Sequence, residues 1–223
     1  MTRSPIARLI VFDCDGTLVD SQHLIVAAAE RAFAAEGLAA PAAADVRAVI
    51  GLSLEAAMTV LQPAAAPALR LRLVDGYRAA WQALRTDGLR EPLYPGALAT
   101  LHELERRGHL LGVATGKGRA GLESVLAHHR LSALFVSLQT ADRHPGKPHP
   151  SMLEAAMRET GSAPEETLMV GDTSYDMTMA HAAGVGAIGV AWGYHPVEVL
   201  AKAGAATILE RFEDLLELAG AAA

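Results

Sequence analysis

Short apolar runs alternate with helical patterns along most of the chain, and this alternation restricts the fold more than any other feature. Strands are predicted at residues 8–13, 110–115, 134–139, 167–171, 187–191 and, more weakly, 206–209. The runs are almost continuously apolar, which is typical of strands that are buried on both faces of a parallel sheet. Helices predicted between them would cover those faces. The sequence therefore predicts an α/β fold in three layers around a parallel, Rossmann-like sheet.

Residues 21–88 interrupt this alternation because they contain no convincing strand. Four helical stretches are predicted there instead, at residues 24–36, 45–50, 54–61 and 68–84. Asp20 or Ser21 is expected to cap the first helix, and Ser53 a later one, because their side-chain oxygens can accept hydrogen bonds from free backbone N–H groups. We therefore expect two parts: a core of residues 1–20 and 89–223, and a helical cap of residues 21–88 inserted after the first strand.

The most informative local motif places two carboxylates, Asp13 and Asp15, directly after the first predicted strand. Open α/β sheets bind their ligands at this edge. Residues two apart share a face of a strand, and like charges about 4 Å apart repel by about 4 kcal/mol at an effective dielectric near 20. A divalent cation would offset that repulsion. The alternative is a turn that uses Asp15 and Gly16 only for their backbone geometry.

Three further predicted loops carry polar groups at strand ends. Thr115 and Gly116 end the second strand, Lys147 lies in a Gly-Lys-Pro loop after the third, and Asp172 and Asp176 follow the fourth. Each signal is weak alone, since a lysine is usually solvated and either acid could cap the next helix. The carboxyl ends of parallel strands meet at one edge of the sheet, so all four loops are expected to converge there.

These motifs, in this order, resemble those of the haloacid dehalogenase (HAD) superfamily. They are Asp-x-Asp-Gly-Thr, a strand ending in Thr, Gly-Lys-Pro and Gly-Asp-x-x-x-Asp. The resemblance covers essentially the whole chain and is to the phosphoglycolate-phosphatase-like branch with a helical cap. It implies a HAD-type core with an inserted cap, and magnesium-dependent hydrolysis of a small-molecule phosphate monoester, phosphoglycolate-like or a sugar phosphate.

The resemblance also implies roles for the acids. Asp13 corresponds to the nucleophile that forms an aspartyl phosphate, which divides a slow hydrolysis into two easier steps. Asp15 corresponds to the general acid that protonates the leaving alcohol and then activates water as a base. Mg²⁺ would be bound by Asp13, the backbone carbonyl of Asp15, Asp172 and waters. Asp176 would lie behind these groups and orient Lys147 or a metal-bound water.

The phosphate group would be held by Gly16, Thr17, Thr115, Gly116 and Lys147, whose donors match the oxygens that gain charge in the transition state. Many members of this superfamily have Asn where this chain has Gly116. That difference removes one side-chain contact with phosphate.

A sugar phosphomutase of the same superfamily is the nearest alternative. Such enzymes carry a cap histidine five residues beyond the Asp20 position, where this chain has Ile25, although His23 is close by. Net release of inorganic phosphate, as opposed to isomerisation of a sugar phosphate, would separate the two activities.

Two alternatives come from other functional classes. Gly116, Gly118 and Gly121 match the G-x-G-x-x-G pattern of dinucleotide-binding oxidoreductases, with Asp142 about twenty residues on. That pattern leaves the acids and Lys147 unexplained. A phosphoacceptor receiver domain would also place acids, Thr and Lys at a sheet edge, but receivers are shorter and have no cap.

Specificity is expected to depend on the cap. The loop Gly51-Leu52-Ser53 is predicted to close over the site, and Arg47 or Arg78 could pair with a second anionic group of the substrate.

Charge and hydropathy narrow the possible partners. The formal charge is −6 and the isoelectric point about 5.8, which argues against nucleic acid as a ligand. No apolar run is long enough to span a bilayer, so no membrane partner is expected. We expect a cytoplasmic enzyme acting on a small phosphate ester.

Overall fold

A six-stranded parallel sheet forms the centre of the fold in the computed structural model, which describes residues 9–220. The strands are β1 (Leu9–Phe12), β2 (Leu110–Thr115), β3 (Phe135–Thr140), β4 (Thr167–Gly171), β5 (Gly186–Val190) and β6 (Thr207–Leu209). Their order in the sheet is β3-β2-β1-β4-β5-β6. The predicted boundaries agree to within one residue, and Arg8, the predicted start of the first strand, lies outside the described residues.

The direction of strand order reverses at β1, which lies between β2 and β4. Phe12 is in register with Val113 on one side and with Val170 on the other. The backbone N–H of Asp13 continues this pairing and donates to the carbonyl of Val170 at 2.9 Å. Ligand crevices of open parallel sheets form at such a reversal, outside the carboxyl ends of the strands.

Helices cover both faces of the sheet, as predicted. They are α5 (Ala97–Arg106), α6 (Arg119–His128), α7 (Ser151–Thr160), α8 (Ser174–Ala183), α9 (Val197–Lys202) and α10 (Leu215–Gly220). Ile10 and Phe12 belong to the core layer that contains side chains of α5, α6 and α10, whereas Leu9 and Val11 belong to the layer of α7, α8 and α9. Successive residues of a strand point to opposite faces, so β1 joins the two layers. The three-layer α/β prediction is confirmed.

The last helix, which the sequence pattern predicts at residues 212–219, is shorter in the structure. Phe212–Asp214 forms a 3₁₀ turn, and α10 begins only at Leu215.

Four helices occupy the chain between β1 and α5: α1 (Gln22–Ala35), α2 (Ala43–Ala48), α3 (Leu54–Leu61) and α4 (Pro67–Thr86). We call residues 22–86 the helical insertion. The predicted helix ends agree to within two residues. A small apolar core of Phe33, Met58, Leu73 and Val74 holds the insertion together.

The side chains predicted to cap α1 and α3 can each be checked in the structure. Ser53 caps α3, since its hydroxyl accepts from the N–H of Ala56 at 3.3 Å. Ser21 is at the N-cap position of α1, but its side chain does not bond to that helix. It donates instead to a carboxylate oxygen of Asp15. A charged acceptor thus competes for the Ser21 hydroxyl. The other candidate, Asp20, supplies the side-chain acceptor at the start of α1, since its Oδ1 accepts from the N–H of Gln22 at 3.3 Å.

Within residues 9–220, every helix is too short or too polar to cross a bilayer.

Candidate active site

Three buried carboxylates meet at the carboxyl edge of the sheet. Asp13 follows β1, Asp172 follows β4, and Asp176 is in the first turn of α8. Each is fully buried, and each offers a carboxylate oxygen within 4.8 Å of the others. We call these three residues the acid cluster. The parallel pairing of β1 with β4 brings Asp13 and Asp172 together, although they are far apart in the sequence.

Lys147 is the counterion of the acid cluster. Its Nζ lies 2.8 Å from Oδ1 of Asp13 and 2.6 Å from Oδ1 of Asp176, and its side chain is fully buried. Burial alone would lower the pKa of Lys147, but the carboxylates of Asp13 and Asp176 outweigh that effect and raise it. The lysine is therefore charged, and three ionised carboxylates against it would leave two negative charges uncompensated.

Hydrogen bonds fix the orientation of Asp172 and Asp176. Asp172 accepts from the hydroxyl of Thr17 at 2.8 Å and from the N–H of Tyr194 at 3.0 Å. Asp176 accepts from the N–H of Thr173 at 3.1 Å and from its hydroxyl at 2.7 Å, as part of a capping box at the start of α8. The sequence left open whether Asp176 caps a helix or orients Lys147, and in the structure its two oxygens do both.

Two glycines make room for Asp172. Gly16 has φ of +90°, and a Cβ built on it would overlap the Asp172 carboxylate. A Cβ on Gly193 would overlap the Asp172 side chain in the same way. Gly16 was predicted to bind phosphate. In the structure its lack of a side chain leaves room for the Asp172 carboxylate.

The donor set of the acid cluster fits a divalent cation. Oδ2 of Asp13 is buried and accepts no hydrogen bond from the described residues. Burial raises the pKa of Asp13 from 3.8 to about 7, although Lys147 acts in the opposite direction. Burial, followed by the neighbouring Asp13, also raises the pKa of Asp172 well above its ordinary value. An oxygen ligand set with excess negative charge is what Mg²⁺ and similar hard cations prefer.

Asp15 lies beside the acid cluster and has different partners. Its Oδ1 is 2.9 Å from Nζ of Lys117 and accepts from the hydroxyl of Ser21. Lys117 also lies 3.7 Å from Oε1 of Glu91 and 4.3 Å from the ring centre of Trp81 in α4. Lys117 therefore joins the core to the helical insertion.

Sequence reasoning missed Lys117. Two signals could have indicated it: it is one of only three lysines in the chain, and it follows Thr115 by two residues.

Thr115 and Gly116 lie at the end of β2, next to the helical insertion. Thr115 is fully buried, and its hydroxyl accepts from the N–H of Lys117 at 3.2 Å. A Cβ built on Gly116 would overlap the carbonyl of Leu52 and lie 2.8 Å from that of Gly51. The loop between α2 and α3 thus packs directly on the backbone at position 116. An Asn at this position, as in many HAD proteins, does not fit this arrangement.

The alternative site residues lie elsewhere. His23 is exposed and lines a small cavity with Leu24 and Arg90, whereas Ile25 lines a larger cavity that also contains Asp15. The histidine thus lies away from Asp15, and the residue next to the Asp15 cavity is an isoleucine, so the structure gives no support to a phosphomutase.

Asp142, the acid of the dinucleotide-binding pattern, has a structural role instead. Asp142 accepts from the N–H of Arg119 at 3.1 Å, so it occupies the start of α6. A dinucleotide pyrophosphate would have to bind at that helix N-terminus.

Comparisons with known proteins extend over the sheet, the insertion and all the site loops. The family model described as haloacid dehalogenase-like hydrolase matches residues 10–190. The chain is 36% identical over 218 residues to "Probable phosphatase IndB" of Dickeya dadantii, covering 96% of this chain and 94% of that protein. It is 32% identical to a phosphoglycolate phosphatase of Photorhabdus laumondii, covering 96% and 92%. The crystal structure of a hydrolase from Pseudomonas syringae has 27% identity and a TM-score of 0.85, covering 97% and 100%.

Proposed function

This chain belongs to the haloacid dehalogenase-like hydrolase family, and from that premise we propose that it is a magnesium-dependent phosphatase of small-molecule phosphate monoesters that acts through an aspartyl phosphate. The observation that carries the proposal is the meeting of Asp13, Asp172 and Lys147 at one edge of the sheet, with Asp15 beside them. The phosphatase names of its relatives support the reaction class. We further propose that residues 21–88 act as a cap on a core of residues 1–20 and 89–223.

Asp13 acts as the nucleophile. One of its carboxylate oxygens forms a bond to phosphorus while the bond from phosphorus to the leaving alcohol breaks. Lys147, 2.8 Å away, favours the ionised form that attack requires. Water then cleaves the aspartyl phosphate, which restores the carboxylate and releases inorganic phosphate.

Asp15 transfers the protons in both steps. It donates a proton to the leaving alcohol in the first step and accepts one from the attacking water in the second. Its contacts with Lys117 and Ser21 fix the position of one carboxylate oxygen next to the site.

Asp13, Asp172 and the backbone carbonyl of Asp15 would bind Mg²⁺. The cation, when bound, neutralises charge on the phosphate oxygens. Lys147 and the hydroxyl of Thr115 bind those oxygens from the protein side, together with backbone N–H groups, including that of Gly116. Asp176 keeps the Lys147 ammonium in place.

The test is phosphate release by the purified protein from p-nitrophenyl phosphate and from a sugar 1-phosphate. We expect release of inorganic phosphate with Mg²⁺, at least about 100-fold less after chelation with EDTA, and recovery on adding Mg²⁺ back. Sugar-phosphate isomerisation without net phosphate release would favour the phosphomutase. Undiminished phosphate release in EDTA would contradict the metal requirement.

The apparent affinity for Mg²⁺ is expected to depend on pH. Because the pKa of Asp13 is raised to about 7, protons compete with the cation below pH 7 and no longer do so above it. The apparent affinity for Mg²⁺ is therefore expected to increase roughly tenfold from pH 6 to pH 8. Titrating Mg²⁺ against Tm at the two pH values measures this without relying on activity.

Gly116 gives a test of cap closure. A Gly116→Ala substitution places a Cβ against the carbonyl of Leu52, so the loop between α2 and α3 must move away from the site. We expect kcat/KM to fall by about 10- to 100-fold, since displacing positioning groups by an ångström has such effects.

The matched control is Gly118→Ala. A Cβ there would lie 3.6 Å from Oδ2 of Asp142, which is ordinary contact, and φ is −76°. Equal kcat/KM values for the two variants would contradict a role for the loop contact.

A further inference from the structure

A cavity of about 620 Å³ lies between the helical insertion and the core. Its insertion side is mainly apolar and includes Ile25, Val49, Ile50, Leu52, Met58 and Leu61. Tyr77 and Trp81 of α4 add a flat aromatic wall, with stacked rings 6.1 Å apart and 18° between their planes. Apolar walls with few polar groups are typical of sites that enclose an organic molecule.

Of the acids and the lysine proposed to act in catalysis, only Asp15 lines the cavity among the described residues. Asp15 lines it, together with Gly116, whereas Asp13, Lys147 and Asp172 are not among its lining residues in the part of the chain that the structure describes. Asp15 is the residue that protonates the leaving oxygen in the proposed mechanism. The phosphate group would therefore bind outside the cavity, and the alcohol would extend past Asp15 into it.

The cavity is much larger than the organic part of phosphoglycolate. Cavities of roughly 300–1,000 Å³ are typical of sites that enclose drug-sized ligands. A two-carbon acid would leave most of this apolar surface in contact with water, and a larger apolar group would displace that water favourably.

The positive side chains around the cavity already have acidic partners. Lys117 pairs with Asp15 at 2.9 Å, Arg78 with Glu55 at 2.8 Å, Arg85 with Glu91 at 2.5 Å, and Arg119 with Glu123 at 2.6 Å. Arg78, which the sequence suggested for a second anionic group, is therefore engaged. Arg47 is not among the described residues that line the cavity. The pairing favours an uncharged organic group.

We infer that the substrates are phosphate monoesters of a bulky, uncharged alcohol whose apolar part is at least as large as an aromatic ring. Phosphate esters of a small carboxylic acid such as glycolate are not expected to be the preferred substrates. The inference rests on the proposed phosphatase function and adds the class of leaving group.

A series of esters with similar primary alkoxide leaving groups tests it: ethyl phosphate, 2-phenylethyl phosphate and 2-(1-naphthyl)ethyl phosphate, with phosphoglycolate alongside. We expect kcat/KM for the phenylethyl ester to exceed that for ethyl phosphate by about 10- to 100-fold, because an aromatic ring buries roughly 100 Å² of apolar surface. The gain should be mainly in KM, since the ring binds equally in the ground and transition states.

A variant that fills the cavity provides the second arm. Gly121 lines it, and a Cβ there would meet only Cδ of Lys117, at 3.9 Å. Gly121→Leu is expected to lower the ratio of kcat/KM for the phenylethyl ester to that for ethyl phosphate by at least about fivefold. Ala127→Leu, at an exposed position of the same helix, is the matched control and should leave the ratio unchanged.

The outcomes separate the two claims. Hydrolysis of all four esters with similar kcat/KM, a preference for phosphoglycolate, or an unchanged ratio in Gly121→Leu would overturn the inference and leave the phosphatase function standing. Failure to hydrolyse any of the esters with Mg²⁺ would overturn the proposed function itself, and the inference with it.

Discussion

An Asp13→Asn protein is expected to lose at least about 1,000-fold in kcat on every phosphate ester that the parent hydrolyses, because the amide cannot form the covalent intermediate. The substitution keeps the size of the side chain and removes only its charge. Steady-state phosphate release with saturating Mg²⁺ measures the loss. Acid-quenched parent protein should in addition carry a transient phosphoryl group on Asp13, and the variant should not.

The fold should survive this change. Burial raises the pKa of Asp13 to about 7, so its ionised form is unfavourable in the folded protein at neutral pH. Replacing it with a neutral amide removes that cost and its repulsion with Asp172 and Asp176. We therefore expect Tm in metal-free buffer at pH 8 to be equal to that of the parent or higher.

Asp87→Asn, at an exposed position, controls for the effect of any Asp to Asn change. If Asp13→Asn kept kcat within tenfold of the parent while remaining folded, Asp13 would not be the nucleophile. If the variant lost activity together with its cooperative unfolding transition, the loss would be structural.

The acid cluster could be predicted from the sequence because its members follow strand ends directly. Asp13 and Asp172 each lie one residue beyond a continuous apolar run, and parallel strands place their carboxyl ends at one edge. Lys147 was harder to place, since its loop is ten residues long between β3 and α7. Its shared motif with known HAD proteins, and not any local pattern, indicated its position.

The sequence predicted that the loop Gly51-Leu52-Ser53 approaches the site, but not the individual contacts between the insertion and the core. The packing of Lys117 on Trp81 and of Leu52 on Gly116 depends on how two separately patterned parts of the chain dock. The hydrophobic periodicity of a helix indicates which of its faces is apolar, but not which part of the protein that face packs against. Ser21 shows the same limit at short range. Its residue type and position made it a candidate helix cap, but its hydroxyl donates to the nearby Asp15 carboxylate instead.

Lys147→Met is expected to destabilise the protein by about 3–5 kcal/mol in metal-free buffer at pH 8, because it removes the only described counterion within contact of Asp13 and Asp176. Breaking a buried pair leaves the remaining charges without compensation, and methionine cannot supply it. We also expect kcat/KM to fall by at least about 100-fold, since a charge directed at the phosphate oxygens is lost. Urea unfolding and phosphate release measure the two effects.

A double substitution distinguishes electrostatics from packing. In Lys147→Met with Asp176→Asn, one uncompensated carboxylate is removed, and the new amide oxygen can still accept from the N–H of Thr173 at the start of α8. Stability should then recover by at least about 1 kcal/mol relative to Lys147→Met, while kcat/KM stays low. Lys202→Met, at an exposed position of α9, is the matched control. Equal urea midpoints for Lys147→Met and Lys202→Met would show that Lys147 does not compensate the charge of the acid cluster.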